Sequence, residues 1–341
     1  MRTVRTIILV AAALLSLSAL AAGQTPGEVF RKVTPSVVVV RARGSEVTAG
    51  GQTRFLETGS GVLISSDGKV MTAAHVVHSM DEISVEFLGG ETVPAKVIGS
   101  EPAADLSLLQ LERVPSAARV ASMANSDAIQ VGDPVYIVGA PYGLSYSLSA
   151  GLISARWAPN TVYKTMPLAE FFQTDATINT GNSGGPMFNT AGAVIGIVSH
   201  NISKSGGSEG LGFVVTMNTA RQLLLEKRSF YGGLEGQFLS DDLADLLNVP
   251  DGMSGYLVKS VAKGSPGDEA GLRGGTRVVT IDGRPVVLGG DIILSVAGSP
   301  TASVADMTKL RDQLARLQSG TTFKVVVLRA GRTVELTGVV K

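Results

Sequence analysis

Gly181-Asn182-Ser183-Gly184-Gly185-Pro186 is the stretch on which the fold turns. A serine hydroxyl is a weak nucleophile unless a base takes its proton and donors stabilise the oxyanion that follows. Glycines on both sides let the backbone N–H groups of Gly181 and Ser183 converge on one point and leave room for a substrate carbonyl. Taken alone, a G-x-S-G stretch is more often a glycine-rich β-turn. Its meaning therefore depends on whether the rest of the chain supplies a base and a carboxylate.

Three histidines are present: His75, His78 and His200. His75 lies in Met71-Thr72-Ala73-Ala74-His75-Val76-Val77, where a strand end runs into a short turn. Asp105 opens Asp105-Leu106-Ser107-Leu108-Leu109-Gln110-Leu111, a carboxylate at the lip of an otherwise apolar strand. An Asp so placed can accept the imidazole N–H, fix the tautomer and stabilise an imidazolium. By itself Asp105 reads more readily as a solvated strand-edge charge; the three segments together are far more specific than any one.

Outward from these motifs, the chain has 341 residues, 44% hydrophobic and 17% charged, with 29 basic and 29 acidic side chains. The length suggests two globular domains behind a leader. The zero formal charge gives no electrostatic reason to expect nucleic acid as a partner. No cysteine occurs, which excludes disulfides, thiolate metal sites and a Cys nucleophile. Short apolar runs bounded by Gly, Asp-Gly or Pro fill Pro35 to Thr216, among them Ser36–Val40, Gly61–Ile64, Thr92–Ile98, Val135–Val138 and Gly212–Thr216. They predict an all-β sandwich or barrel, closed by a short helix over Met217–Lys227. Past residue 230 the pattern changes. Strand-like Gly255–Val261 and Ile292–Val296 precede a helix predicted over Ser303–Gln318, with Met307, Leu310, Leu314 and Leu317 at three- and four-residue spacing. Two strands follow, Phe323–Leu328 and Thr333–Val339.

Arg2 and Arg5 precede an apolar stretch, Ile7 to Ala22, with Ala19 and Ala21 before a polar break. Residues 1–23 thus have the layout of a secretory signal. The rival reading is an uncleaved anchor in the inner membrane, since the run only approaches the ~20 residues that span a bilayer. Either places the protein outside the cytosol, in a periplasm or otherwise exported.

With these residues in hand, a likeness emerges. Thr72-Ala73-Ala74-His75, Asp105-Leu106-Ser107-Leu108-Leu109 and Gln173-Thr174-Asp175-Ala176 through Gly181-Asn182-Ser183-Gly184-Gly185 stand in the chain order of the chymotrypsin family. Their form resembles the HtrA/Deg group of bacterial envelope serine proteases. Tyr231-Gly232-Gly233-Leu234-Glu235-Gly236 resembles the carboxylate-binding loop that opens the PDZ domain of that group, and Gly264-Ser265-Pro266 with Ala270-Gly271-Leu272 resembles its central segment. The resemblance implies a mostly β chain: a chymotrypsin-like double β-barrel over 24–229 followed by a small α+β PDZ domain over 230–341. It implies a cofactor-free serine endopeptidase of protein quality control, with catalytic His75, Asp105 and Ser183. It further implies an oxyanion hole from Gly181, Asn182 and Ser183, and a specificity pocket from Ile178, Ile197, Val198, Ser199, Leu211, Gly212 and Phe213. In the PDZ domain, Tyr231, Gly232, Gly233 and Leu234 would bind peptide. Unfolded proteins and C-terminal peptides are the implied partners, and a homotrimer, through the segment around Phe30, the implied assembly. No acid stands at Thr177 or Ile178, so cleavage after small or medium apolar residues is expected rather than after Lys or Arg. The alternative from another class is a peptide-binding chaperone or adaptor whose hydrolytic site is latched or vestigial.

Some features depart from the family pattern. Arg41–Glu57 is short for a regulatory loop of the first barrel, which argues against large cages. Gly232 replaces the apolar residue usual in the carboxylate loop, and Arg277–Gly289 reads as an extra hairpin. His75 and His78 form H-x-x-H, but no H-E-x-x-H or dense acidic set accompanies them, so no metal site is expected. His78 and His200 are expected at the surface or in a wall. Asn201-Ile202-Ser203 matches a glycosylation acceptor, a pattern common by chance.

Overall fold

The computed structural model describes residues 24–143, 146–203, 207–228, 230–250 and 252–341. The leader read over 1–23 lies outside the described residues. Helix α1 (Pro26–Val33) starts on a capping box: the Thr25 side chain accepts from Glu28 N, and the Glu28 carboxylate accepts from Thr25 N. It buries Val29 and Val33.

The first barrel contains β1 (Val37–Thr48), β2 (Gly51–Leu63), β3 (Lys69–Thr72), β4 (Glu82–Glu86), β5 (Thr92–Glu101) and β6 (Leu106–Leu111), closed in the order β1-β2-β3-β6-β5-β4. The second contains β7 (Pro134–Gly139), β8 (Ser147–Trp157), β9 (Phe171–Thr174), β10 (Pro186–Phe188), β11 (Val194–Asn201) and β12 (Gly212–Thr216), closed in the order β10-β11-β12-β9-β8-β7. Closure removes the free edges that isolated short strands would expose. Each barrel has its own apolar filling, around Val38, Leu63, Val70 and Leu109 in the first and Ile137, Ile153, Phe172 and Ile195 in the second. A third cluster joins Met71, Leu106 and Leu108 of one barrel to Phe171, Phe188 and Phe213 of the other, with Val29 and Val33 of α1. This shared core fixes the cleft between the barrels. The span 41–57 forms no loop of its own: β1 and β2 pair continuously from Val37↔Val62 to Thr48↔Gly51.

Helix α3 (Met217–Arg221) runs into a wider turn over Gln222–Glu226, which ends where Lys227 N donates to Gln222 O; α2 is the short Ala74–Val77 helix described below. A third sheet has the order β13-β14-β17-β19-β20, from β13 (Leu234–Phe238), β14 (Tyr256–Val261), β17 (Ile292–Val296), β19 (Thr322–Arg329) and β20 (Arg332–Val339), with β18 (Ser299–Pro300) paired to β17. The segment expected as a hairpin is one: β15 (Arg277–Ile281) and β16 (Arg284–Leu288) form a separate two-stranded sheet. Helices α4 (Asp241–Leu246), α5 (Pro266–Glu269) and α6 (Val304–Leu314) complete this part. Ser303 caps α6, accepting from Asp306 N. The helix ends four residues short of the predicted Gln318, because Arg316 N and Leu317 N bond back to Gln313 O and Leu314 O and tighten the last turn. Helix α6 meets the first barrel through a largely buried Arg311–Glu101 ion pair at 2.7 Å. None of the helices among the described residues is long and apolar enough to cross a membrane.

Candidate active site

Strand β3 ends at Thr72, and two residues later the four-residue helix α2 turns His75 toward the cleft. Asp105 sits between the turn Pro102–Ala104 and β6, in a left-handed conformation (φ 54°) that a non-glycine residue adopts only with local support. The support is hydrogen bonding. His75 N donates to Asp105 Oδ1 at 3.1 Å, and His75 Nδ1 lies 2.9 and 3.0 Å from the two carboxylate oxygens. The Ser199 hydroxyl donates to Asp105 Oδ2 from the opposite side. The carboxylate side chain is 9% exposed, the imidazole 46%. Burial opposes charge on both groups. The bond to Asp105, its charge and that of Glu57 nonetheless raise the His75 pKa, and the His75 and Ser199 bonds keep that of Asp105 below its usual range. The result is an ionised Asp that fixes His75 with Nδ1 protonated and Nε2 available for proton transfer.

Ser183 comes from the second barrel, on the connection between β9 and β10. The loop's shape needs glycine at two positions. Gly181 has φ 99°, and a Cβ there would lie 2.3 Å from Ala140 O; Gly184 has φ 81°, and its Cβ would lie 2.2 Å from Thr72 Oγ1. Ser60 ties the loop to the first barrel. Its N–H donates to Ser183 O at 2.8 Å, and its hydroxyl donates to Gly181 O at 2.7 Å while accepting from Ala140 N at 3.0 Å. With both carbonyls held, the N–H groups of Gly181 and Ser183 have no acceptor among the described residues. Asn182 differs from its expected place in the oxyanion hole: its N–H is already donated to Asn179 O at 3.0 Å, which closes that turn. The Ser183 hydroxyl donates to Ser199 O at 3.2 Å and is not hydrogen-bonded to His75.

The expected pocket residues separate into three groups. Ile178 and Val198 belong to the core of the second barrel and Ile197 and Phe213 to the core shared by the barrels, all nearly or fully buried. Gly212 packs against the Ile178 side chain, and Leu211 is exposed. Ser199 is buried and serves Asp105 rather than facing a pocket.

His78 and His200 are half-buried, each set in a wall of side chains. His200 lies against Tyr163, Phe171 and Phe213, and its Nδ1 is 2.8 Å from Ser199 Oγ. His78 bonds Ser100 Oγ through Nδ1 at 2.7 Å and meets the Tyr231 ring edge-on at 5.9 Å. Burial pushes both pKa values down to about 4; Leu234 and Glu235 oppose this at His78, and at His200 Asp105 opposes it while His75 adds to it. The roles of Ser60 and Ser199 escaped the sequence because a serine between glycines, or at the end of an apolar run, carries no pattern of its own.

In the loop at 231–234, Gly232 O accepts from Gly267 N at 3.0 Å and Gly233 O from Ala262 N at 2.8 Å. The N–H groups of Gly232 and Gly233 have no backbone acceptor among the described residues. Beside it, Ser79 Oγ donates to Glu235 at 3.2 Å and Lys263 N to Asp81 at 2.9 Å. Among the described residues no group of three or more metal-ligating side chains is present.

Comparison with known proteins agrees with this architecture. The trypsin-like peptidase domain family matches residues 59–197. A probable periplasmic serine endoprotease DegP-like from Ectopseudomonas mendocina (strain ymp) is 36% identical over 272 residues, 77% of this chain and 56% of the relative. The periplasmic pH-dependent serine endoprotease DegQ of Escherichia coli (strain K12) is 36% identical over 290 residues, 83% of this chain and 59% of the relative. The chain thus spans a little over half the length of these curated relatives. A solved variant of the HtrA-type protease AlgW, with a decapeptide, matches with a TM-score of 0.56 and 27% identity, covering 93% of this chain and 97% of that one. Two closed six-stranded barrels with this site between them define the chymotrypsin-like class of serine proteases. Within that class the chain belongs to the HtrA/Deg family.

Proposed function

We propose that this protein is an ATP-independent serine endopeptidase of the cell envelope that cleaves unfolded proteins, with Ser183, His75 and Asp105 as its catalytic triad. The observation that carries the reading is the buried Asp105 holding His75 Nδ1 with both oxygens, across from a serine on a glycine-pinned loop. Ser183 Oγ leaves the Ser199 carbonyl, gives its proton to His75 Nε2 and attacks the substrate carbonyl. The oxyanion is met by the N–H groups of Gly181 and Ser183. His75 then protonates the leaving amine, and a water molecule, activated by the same imidazole, hydrolyses the acyl-enzyme. Cleavage follows small or medium apolar residues.

Residues 24–229 form the protease domain and 230–341 a PDZ domain. The free amides of Gly232 and Gly233 suit a terminal carboxylate, and β13 is an edge strand that a peptide can extend. The relatives are named as periplasmic, and AlgW was solved with peptides. An exported location, a leader that is cleaved or holds the chain in the inner membrane, and a homotrimer complete the reading; no cofactor or nucleic acid enters it.

The second reading, a latched or vestigial site serving a peptide-binding chaperone, is favoured by one observation: Ser183 Oγ rests on Ser199 O and not on His75. Cleavage of an unfolded protein, with and without peptides ending in apolar carboxylates, separates the two when set against Ser183→Ala. The protease reading expects Ser183→Ala to lose about 10⁴-fold or more in kcat while still binding peptide. Absence of Ser183-dependent cleavage under every condition, with peptide binding intact, overturns it in favour of the chaperone.

A further inference from the structure

A chain of hydrogen bonds continues behind Asp105. The Ser199 hydroxyl has one proton, and it goes to Asp105 Oδ2 because an ionised carboxylate only accepts. The same oxygen lies 2.8 Å from His200 Nδ1 and can only accept there. This assigns His200 the tautomer protonated at Nδ1. Its Nε2 is buried and has no hydrogen-bond partner among the described residues.

Neighbours along a strand normally face opposite ways. Here the pairing of β11 with β12 skips Ser199, passing from Val198↔Val214 to His200↔Phe213, and this bulge lets consecutive side chains meet. The imidazole is locked by rings: Phe213 stacks on it at 5.5 Å with a 15° interplanar angle, and Tyr163 and Phe171 meet it edge-on at 4.2 and 5.8 Å. The titratable groups facing it are the Tyr163 phenol and, beyond Ser199, Asp105 and His75. Burial keeps the ring neutral near pH 7, so it is a donor that adds no positive charge against His75.

We propose that His200 is a positioning residue of the hydrolytic site: its Nδ1–H holds the Ser199 hydroxyl as a one-way donor to Asp105, and through Asp105 it sets the orientation and basicity of His75. The proposal rests on the serine endopeptidase reading. A donor that itself accepts a hydrogen bond is polarised and donates more strongly. Without His200, Ser199 is free to turn away, Asp105 carries more negative charge, and His75 holds its proton more tightly.

Three variants of the full chain test this. His200→Phe keeps a stacked ring and removes the donor; His200→Asn restores an N–H near the Nδ1 position; Ser199→Ala removes the relay and leaves the ring packing alone. His200→Phe is expected to lower kcat about 10-fold with little change in KM, a magnitude typical of groups that orient an active-site ligand. It should also move the acid limb of kcat/KM to higher pH and shift the proton resonance shared by His75 and Asp105. His200→Asn should recover most of the loss, and Ser199→Ala should reproduce the shift. The double variant should be no worse than Ser199→Ala alone, since the two act in series. Unchanged kinetics and an unmoved acid limb in His200→Phe overturn the proposal. So do equal losses in Phe and Asn without any pH shift, or additive losses in the double variant. The proton resonance is read without turnover, so a change there in a chain that cleaves nothing separates failure of the protease reading from failure of the relay.

Discussion

Two glycine-rich loops in this molecule tie down carbonyls and leave amides free, and they do so in different surroundings. The loop at 181–185 is gripped from two barrels: Ser60 holds the carbonyls of Gly181 and Ser183, Val198 O accepts from Gly184 N, and Thr180 O accepts from Tyr142 N. The loop at 231–234 is held within the third sheet by Ala262 N and Gly267 N, and its Tyr231 ring meets His78 from outside. In the proposed function the first meets a charge that exists only during a reaction, where preorganisation counts most. In the proposed function the second meets a carboxylate that arrives already charged. His78, which meets the Tyr231 ring of the second loop edge-on, stands three residues from His75.

The largest expected break in this comparison is Gly181→Ala. Its Cβ would fall 2.3 Å from a backbone oxygen at a positive φ, so the loop must shift. A loss of about 10²–10³-fold in kcat is expected, the cost of one misplaced oxyanion donor, with peptide binding at the second loop unchanged; steady-state kinetics and calorimetry check both. Next comes Ser60→Ala, which leaves Gly181 O and Ala140 N unpaired in a fully buried position. It should destabilise the fold by about 1–3 kcal/mol, visible as a lower urea midpoint, and reduce kcat as well.

Acid probes His78, beside the second loop, and His200, behind the first. His78 and His200 have folded pKa values of about 4 against an unfolded value near 6.5. Between those values the unfolded chain binds more protons, so their contribution is complete above about pH 6.5 and falls away as pH drops toward 4. The raised pKa of His75 acts in the opposite sense: its stabilisation is present below the unfolded value and lost as pH rises through the folded one. Urea midpoints should therefore fall from pH 7 to pH 5, and His78→Gln should flatten that slope; a slope unchanged by the substitution would remove His78 from the account. The smallest effect is expected of Gly232→Ala. The nearest atoms to its added Cβ lie 3.5 Å away, an ordinary contact. Stability should stay within about 0.5 kcal/mol, and peptide affinity within a few-fold, in contrast to the same change at Gly181.

Much of the fold was legible because short apolar runs with turn residues between them leave few alternatives to closed barrels, and the order His, Asp, Ser narrows those further. The helix predicted over 303–318 was right at its start, where Ser303 provides a cap, and too long at its end, where backbone bonds rather than side chains make the stop. For His78 and His200 the sequence left surface and wall both open, for a related reason. A lone histidine beside an apolar run has the same sequence whether it faces water or aromatic rings, and the bulge that turns His200 inward depends on how β12 pairs with β11.

The sequence by itself determined the strand pattern, the change of architecture near residue 230, and the identity of the three candidate catalytic residues, because each rests on local periodicity or on a motif. Only the tertiary structure decided that Ser60 holds the nucleophile loop, that Ser199 and His200 stand behind Asp105, that Asn182 N–H is already committed, and that His78 reaches the loop of the third sheet. These are contacts between groups as far as 153 residues apart, such as His78 and Tyr231. A hydrogen bond depends on ångström-scale placement that no spacing along the chain encodes.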